Sequence, residues 1–332
     1  MSLPLAQIDF SARDVLIAVN PRAGAREQSP VVEDLVARLV DHKLRPQVFR
    51  GVDELCGHLL GRSSLVDVRG VVAAGGDGTA RLVAECMPPE MPLTILPLGT
   101  ENLLARHLEL STDTRAMAER IAGGLTVQLD AGLANGRLFT LMVGCGFDAD
   151  VVRRLHRDRR GHIHHLSYIK PIVDAIRNYD YPPVTVHCRC APGGPSSPFQ
   201  QDGASGDEVL TARWVFVVNL PRYAGGLNIA PEASGTDGLF DVCTFKEGSL
   251  WSGLLYLGGV VLGQHQAMDD FHLVRCAELT IESTAAVPYQ IDGDPGGELP
   301  LTIRILPKRL TLLVTRPWAE RQQAETHQRV TT

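Results

Sequence analysis

The sequence predicts two unlike halves: an N-terminal Rossmann-like α/β domain and a C-terminal antiparallel β-sandwich domain. Three observations predict this. An apolar strand, a glycine-bearing turn and an amphipathic helix recur three times early in the chain. An Asn135-Gly136 pair, a strong hairpin signal, then separates two strand-like runs. The 332 residues also suit two domains of about 150 residues each.

The three early units can be taken in turn. Strand Val15–Asn20 leads into PRAGAR and a helix through Val31–Val40. Strand Val68–Gly76 leads into Asp77-Gly78-Thr79 and the helix ARLVAEC. Strand Leu93–Leu98 leads into Gly99-Thr100 and the helix ENLLARHL. Strand alternating with helix implies crossover connections and a parallel sheet, with any ligand beyond the carboxyl ends of the strands. All three glycine turns fall on that edge. From Gln128 onward, VTVHCRC, ARWVFVVNL, LFDVCTF, AELTIES, VPYQIDG, LTIRIL and RLTLLVT read as strands of a sandwich or barrel-like unit. Helices are expected within His165–Arg177 and Leu250–Gly263, and Ala191–Asp207 reads as a Gly/Pro/Ser-rich hairpin loop. The predicted domains are 1–127, 128–305, and 306–332 as a returning strand with a polar tail that frays after Trp318.

Composition narrows the function. Apolar residues make up 44% and charged residues 21%, as in an ordinary globular protein. Lys plus Arg is 32 and Asp plus Glu is 38, a net charge of −6, so a partner role with nucleic acid is not expected. The seven cysteines form no CxxC pair and suggest neither a zinc site nor a disulfide framework. Small buried residues in a reducing compartment are expected. The start MSLPLAQIDF lacks the features of a signal peptide, and the apolar stretch Leu250–Leu262 falls short of the ~20 residues of a spanning helix. The expected location is cytoplasmic, peripheral at the membrane. The Leu250–Leu262 stretch reads first as a core helix.

The strongest chemical signal is Gly75-Gly76-Asp77-Gly78-Thr79, directly after an apolar strand and before a helix. Glycines let backbone amides approach an anion, and a helix N-terminus favours negative charge. Thr79 suits a phosphate oxygen or a helix cap, and Asp77 suits the metal of a metal–nucleotide. Asn20-Pro21-x-x-Gly24 and Pro97-Leu98-Gly99-Thr100-Glu101-Asn102 supply two further loops on the same edge. There is no GxxxxGK[ST] P-loop and no protein-kinase motif set. Gly144-Cys145-Gly146-Phe147-Asp148-Ala149 matches a dinucleotide fingerprint, but lies in the β-rich half without its acidic partner. Asp292-Gly293-Asp294 reads as a general base with a metal-binding neighbour, or as a tight turn. The basic run Arg153–Arg160 reads as a site for anionic lipid or as a solvated helix face.

Together, GGDGT, the upstream NPxxG, the downstream PLGTxN and the late DG[ED] resemble the diacylglycerol kinase catalytic-domain family. These lipid kinases are related to sphingosine and ceramide kinases, and the resemblance runs from about Val15 to Thr315. It implies ATP and Mg²⁺ as cofactors, ATP in a cleft of a two-domain fold, and a lipid substrate met at a membrane surface, with a homodimer left open. It implies that Gly75, Gly76, Asp77, Gly78 and Thr79 bind the ATP phosphates and Mg²⁺, with Asn20, Gly24, Gly99, Thr100 and Asn102 lining the nucleotide. Asp292 matches the general base, Asp294 a nucleotide contact where the family has Glu, and Asp130 an aspartate near the active site, with Lys170 as its partner. Asp237 and the Leu239 carbonyl match a structural Mg²⁺ loop whose first acidic ligand falls at Ser234. Leu103 stands where the family's PLGTxND has Asp. The function implied is phosphorylation of diacylglycerol or a sphingoid- or ceramide-like lipid. The alternatives are an NAD kinase or soluble-alcohol kinase sharing GGDGT, and a non-catalytic nucleotide- or lipid-binding relative.

Overall fold

The computed structural model describes residues 3–20, 29–157, 178–189, 208–222 and 228–331. Gly24, Lys170, residues 158–160 of the basic run, the expected helix within His165–Arg177 and the Ala191–Asp207 loop lie outside the described residues. The chain forms two compact units, Met1–Leu129 with Lys308–Thr332, and Asp130–Pro307.

The first unit contains β1 (Leu5–Gln7), β2 (Asp14–Val19), α1 (Ser29–Asp41), β3 (Arg45–Phe49), α2 (Val52–Gly61), β4 (Val68–Gly75), α3 (Asp77–Cys86), β5 (Pro92–Pro97), α4 (Leu103–His107), α5 (Thr114–Gly123) and the start of β6 (Leu125–Ala134). Its strands run in the order β5-β4-β2-β3, all parallel. Every residue of β4 is buried, which is why it reads as an unbroken apolar run rather than an alternating one. Its one charged residue, Arg69, is fully satisfied in the interior: Nε donates to the Ile121 carbonyl at 2.9 Å and Nη1 to that of Asp9 at 2.8 Å. Val15, Ile17, Val72 and Leu96 pack with Leu35 and Leu39 of α1 and Met117 and Ile121 of α5.

Three features of this unit depart from the expectations. Strand β3 and helix α2 complete a βαβ step that the sequence pattern hides, because Arg45, Gln47 and Val48 are exposed. Cys56 on α2 and Cys86 at the end of α3 form a disulfide, their Cα atoms 5.7 Å apart, where free thiols were expected. The two helices pack together, so residues 30 apart in sequence meet. The C-terminal tail, expected to fray, forms a helix over Arg316–Thr331, anchored by the buried Trp318, whose Nε1 donates to the His107 carbonyl at 2.9 Å.

The second unit contains the end of β6, β7 (Arg137–Phe139), β8 (Met142–Gly146), α6 (Phe147–Arg157), β9 (Val184–Arg189), β10 (Glu208–Ala212), β11 (Trp214–Val218), β12 (Phe240–Phe245), a helix over Leu250–Val261, β13 (Phe271–Cys276), β14 (Glu278–Glu282), β15 (Pro288–Ile291), β16 (Asp294–Glu298) and most of β17 (Leu301–Leu313). One sheet runs β13-β12-β11-β8-β15-β16, antiparallel throughout. A second layer runs β10-β9-β14-β17, also antiparallel. Val143, Val217 and Val242 of the first meet Val186, Leu279 and Ile303 of the second in one apolar core, which makes the unit a sandwich. The expected Asn135-Gly136 hairpin joins β6 to β7, with φ of 44° and 83° at the two turn residues. Residues Thr311 and Leu312 of β17 belong to the first unit, where they pair in parallel with Pro92 and Leu93 of β5.

The GxGxxA segment is β8 followed by α6, but β8 is antiparallel to both its neighbours, so no dinucleotide crossover exists there. Gly144 is required because a Cβ would lie 2.0 Å from Asp148 Oδ2. The helix over Leu250–Val261 is not the core helix expected. Gly253, Tyr256 and Gly259 form its buried face, with Gly259 against Met268, while Trp251 is 78% exposed and Leu255 61%. Glycines at this spacing let the helix sit close on one side, with Trp251, Leu254 and Leu255 turned outward. No helix among the described residues is long and apolar enough to cross a membrane.

The disulfide closes a 30-residue separation, and reducing it is expected to cost about 3–4 kcal/mol by loop-closure entropy. Urea unfolding with and without dithiothreitol measures this, with Cys56→Ser as the variant that should no longer respond to reductant.

Candidate functional site

The ends of β2, β4 and β5 meet, because these strands are neighbours and all end on the same edge. Asn20, just past β2, donates from Nδ2 to Thr79 Oγ1 at 2.9 Å. Gly75 leaves room for that hydroxyl: a Cβ there would lie 2.3 Å from it. The β4 and β5 turns touch backbone to backbone. A Cβ on Gly99 would lie 2.5 Å from the Gly76 Cα and 2.7 Å from Asn102 Oδ1. The Leu98 amide donates to the Gly75 carbonyl at 3.0 Å.

Asn102 and Asp77 hold this arrangement from the inside. Asn102 adopts the left-handed region at φ 50°, and its side chain closes the turn on itself: Oδ1 accepts from Gly99 N at 3.0 Å, and Nδ2 donates to the Gly99 carbonyl at 2.9 Å. Asp77 Oδ2 accepts from Leu103 N at 2.9 Å and Oδ1 from Leu104 N at 3.0 Å. The Asp77 carboxylate therefore caps α4, satisfying amides that a helix N-terminus leaves open. Burial raises its pKa above 3.8, with the two amides pulling the other way. Gly78 lies in the first turn of α3, and Thr100 is exposed beside Gly99. What the arrangement offers an anion is the N-terminus of α3 with glycines that keep side chains out of the way. Asp77 turns both oxygens to α4, and each oxygen keeps a further lone pair for a cation.

In the second unit, Asp292-Gly293 forms the turn between β15 and β16, with φ of 48° and 83°. The turn reading holds, and the Asp292 side chain points back into the unit. Oδ2 accepts from Thr140 N at 2.7 Å and Thr140 Oγ1 at 3.1 Å, and Oδ1 accepts from Leu141 N and Met142 N, both at 2.9 Å. These four donors stabilise the anion and fix its plane. Three are backbone amides; the Thr140 hydroxyl is the one that can rotate away. Asp294 lies between Arg137 Nη2 at 3.5 Å and His156 Nε2 at 3.9 Å.

Asp130 is 2% exposed. Its Oδ2 accepts from Gly238 N at 2.8 Å, and its amide donates to the Gly235 carbonyl at 2.7 Å, so it is tied to the loop entering β12. In that loop Asp237 Oδ1 accepts from Leu239 N at 3.1 Å, and Oδ2 pairs with Arg275. The Asp237 and Leu239 pair does not fit a structural Mg²⁺, since a guanidinium already faces that carboxylate. Among the described residues no group of three or more His, Cys, Asp or Glu side chains is placed to hold a metal.

The motifs do not mark two further side chains. Gln290, fully buried in β15, donates from Nε2 to Asp148 Oδ2 at 2.9 Å and accepts from Gly293 N at 2.8 Å, bracing the Asp292 turn from below. Asn219 Nδ2 donates to the carbonyls of Asp130 at 3.0 Å and Thr140 at 2.7 Å. The only sequence signal for either is a buried amide in an otherwise apolar strand or strand end.

Two family models match the chain. The diacylglycerol kinase catalytic domain matches residues 14–134, and the YegS C-terminal NAD kinase beta sandwich-like domain matches residues 141–314. The chain belongs to the diacylglycerol kinase and YegS-like lipid kinase family. It is similar to a diacylglycerol kinase of Mycobacterium tuberculosis, 27% identical over 90% of this chain and 94% of that one. It is also similar to a Pseudomonas aeruginosa protein named "Probable lipid kinase YegS-like", 30% identical over 68% of this chain and 70% of that one. A crystal structure of a diacylglycerol kinase from Bacillus anthracis shares the fold, with a TM-score of 0.63 at 20% identity over 92% of this chain and 98% of that one. The two matched models fall on the α/β half and the sandwich half of this family member.

Gly99→Ala pushes the β4 and β5 turns apart at backbone atoms that cannot swing away. The expected result is a loss of nucleotide affinity of about tenfold or more in calorimetric titration, with the far-UV spectrum unchanged. A second outcome concerns Asp77. Its folded pKa lies above the unfolded value, so this carboxyl favours the folded state below pH 3.8, and that contribution is lost as pH rises through the raised folded value. Asp77→Asn should flatten that limb of the melting temperature against pH.

Proposed function

We propose that this kinase transfers the γ-phosphoryl group of MgATP to the hydroxyl of a lipid, either diacylglycerol or a sphingoid- or ceramide-like alcohol. The observation that carries the reading is the contact of the Gly76 and Gly99 turns at the ends of β4 and β5, in a chain of the lipid kinase family. Phosphoryl transfer asks little covalent chemistry of a protein. It asks for in-line positioning and neutralisation of charge on the transferred group. The α3 N-terminus and the glycine turn at Gly75 and Gly76 suit the phosphates, with Asn20 and Thr79 beside them. Mg²⁺ bound with the nucleotide supplies charge neutralisation at the phosphate oxygens.

In the transfer the lipid oxygen bonds to the γ-phosphorus, the bond to the β-bridging oxygen breaks, and ADP leaves. The hydroxyl proton needs an acceptor. Asp292 is the candidate, since rotation of the Thr140 hydroxyl frees a lone pair on Oδ2 while three backbone amides keep the carboxylate in place. Asp130 and Asp294 are assigned supporting roles in the same reading. The exposed Trp251 and Leu255 of the Leu250–Val261 helix give the protein an apolar surface suited to peripheral membrane contact, whereas Arg153 and Arg154 of α6 are paired with Asp150.

Transfer of ³²P from MgATP to a mixed-lipid extract tests the proposal, with NAD as a separate acceptor. The expected outcome is a labelled lipid, with turnover reduced at least about 100-fold in Asp292→Asn while the melting temperature stays near that of the wild type. Label in NADP instead would move the protein to NAD phosphorylation. Loss of turnover together with a large fall in melting temperature would make Asp292 an anchor of its turn rather than a base.

A further inference from the structure

We propose that Arg275 is a built-in counter-cation that holds the loop entering β12 and makes it independent of a divalent metal ion. Three carboxylates converge on this loop. Asp237 lies within it, Asp241 follows it on β12, and Asp130 grips its backbone at Gly235 and Gly238. Carboxylates gathered in a partly buried loop repel one another and call for a cation. The neighbouring strand supplies one. Asp241 and Arg275 are directly opposed in the β12–β13 register, which aims the guanidinium at the start of β12. Its Nε lies 3.3 Å from Asp241 Oδ1, and its Nη2 pairs with Asp237 Oδ2. A guanidinium is suited to this task because it presents several donors in a fixed plane and stays charged.

The surroundings support a lasting pair rather than a surface contact. The Asp241 side chain is 3% exposed, and those of Asp237 and Arg275 are 23% exposed. Asp237 also accepts from Leu239 N, so its carboxylate cannot drift away from Arg275 without opening the turn. Through Gly238 the same loop meets Asp130, so Arg275 acts as a positioning residue for Asp130. If the guanidinium is removed, Asp237 and Asp241 become a two-carboxylate site of the kind hard divalent cations prefer.

The inference does not depend on the acceptor or on turnover, so its failure and that of the lipid kinase reading are separable. Thermal unfolding of the nucleotide-free, full-length protein in EDTA, MgCl₂ and CaCl₂ tests it. The wild type should melt at the same temperature in all three. Arg275→Gln should melt lower in EDTA by about 4 °C or more, and Mg²⁺ or Ca²⁺ should recover at least half of the loss. Arg275→Lys keeps the charge but not the fork and should fall between the two. A wild type that loses stability in EDTA, an Arg275→Gln protein as stable as the wild type, or a weakened one that neither cation restores would each overturn the proposal. If Arg275→Gln fails to fold, Arg275→Lys carries the comparison: it should melt below the wild type in EDTA and gain nothing from either cation, because its ammonium still occupies the site, and a Lys variant as stable as the wild type or one rescued by Mg²⁺ or Ca²⁺ would overturn the idea.

Discussion

The contact between the Gly76 and Gly99 backbones is the constraint on which the first unit's chemistry depends. Neighbouring parallel strands bring their carboxyl ends to one edge, but the turns beyond them touch only if neither carries a side chain. Asn102 must then enter the left-handed region, at a cost its own side chain offsets by bonding both the amide and the carbonyl of Gly99. With that turn closed, the α4 amides fall where Asp77 can cap them. The result is an edge where backbone donors stand near open space and the carboxylate is turned to α4. An anion meets dipoles already oriented, so little of its binding energy goes to ordering them.

The second unit solves a different problem. It keeps several aspartates at least partly buried, and each is held by donors from a distant stretch of chain. Asp292 takes four donors from residues 140–142, Asp130 takes the Gly238 amide, and Asp148 takes Gln290. Burying a carboxylate without such donors is costly. Once made, these bonds link distant stretches of chain: residues 140–142 to 292, and 130 to 238. Asn219 joins the two groups, because its amide bridges the carbonyls of Asp130 and Thr140. Asp130 and Asp292, far apart in sequence, are thus connected through a single buried side chain.

Much of this was legible in the sequence where local pattern and backbone demand coincide. The three strand–turn–helix units, the Asn135-Gly136 hairpin and the GGDGT turn all announce themselves, because glycine spacing and apolar runs are local signals. What stayed hidden depends on contacts far apart in the chain. Cys56 and Cys86 meet only because α2 packs on α3. The helix over Leu250–Val261 reads as core from its composition, yet with the glycines at 253 and 259 on its buried face Leu254 and Leu255 turn outward. Asp77 reads as a metal ligand from its motif, but it holds amides of a helix that begins 26 residues later. Arg275 carries no motif at all and is found only through strand register.

The replacement of the family's Asp by Leu103 can be weighed in the same terms. In this structure position 103 contributes its backbone N–H, donated to Asp77 Oδ2, while its side chain is buried. Every residue except proline supplies that N–H. The substitution therefore leaves the cap on α4 and the geometry of the Gly99 turn intact, and removes only a carboxylate from the vicinity. Asn102, which does what few other side chains can at a left-handed turn, is retained. The pattern separates the part of the motif that builds the edge from the part free to vary. A carboxylate lost at a position where the backbone does the structural work lowers the local negative charge that a phosphate would meet, and does so without loosening the turns that receive it.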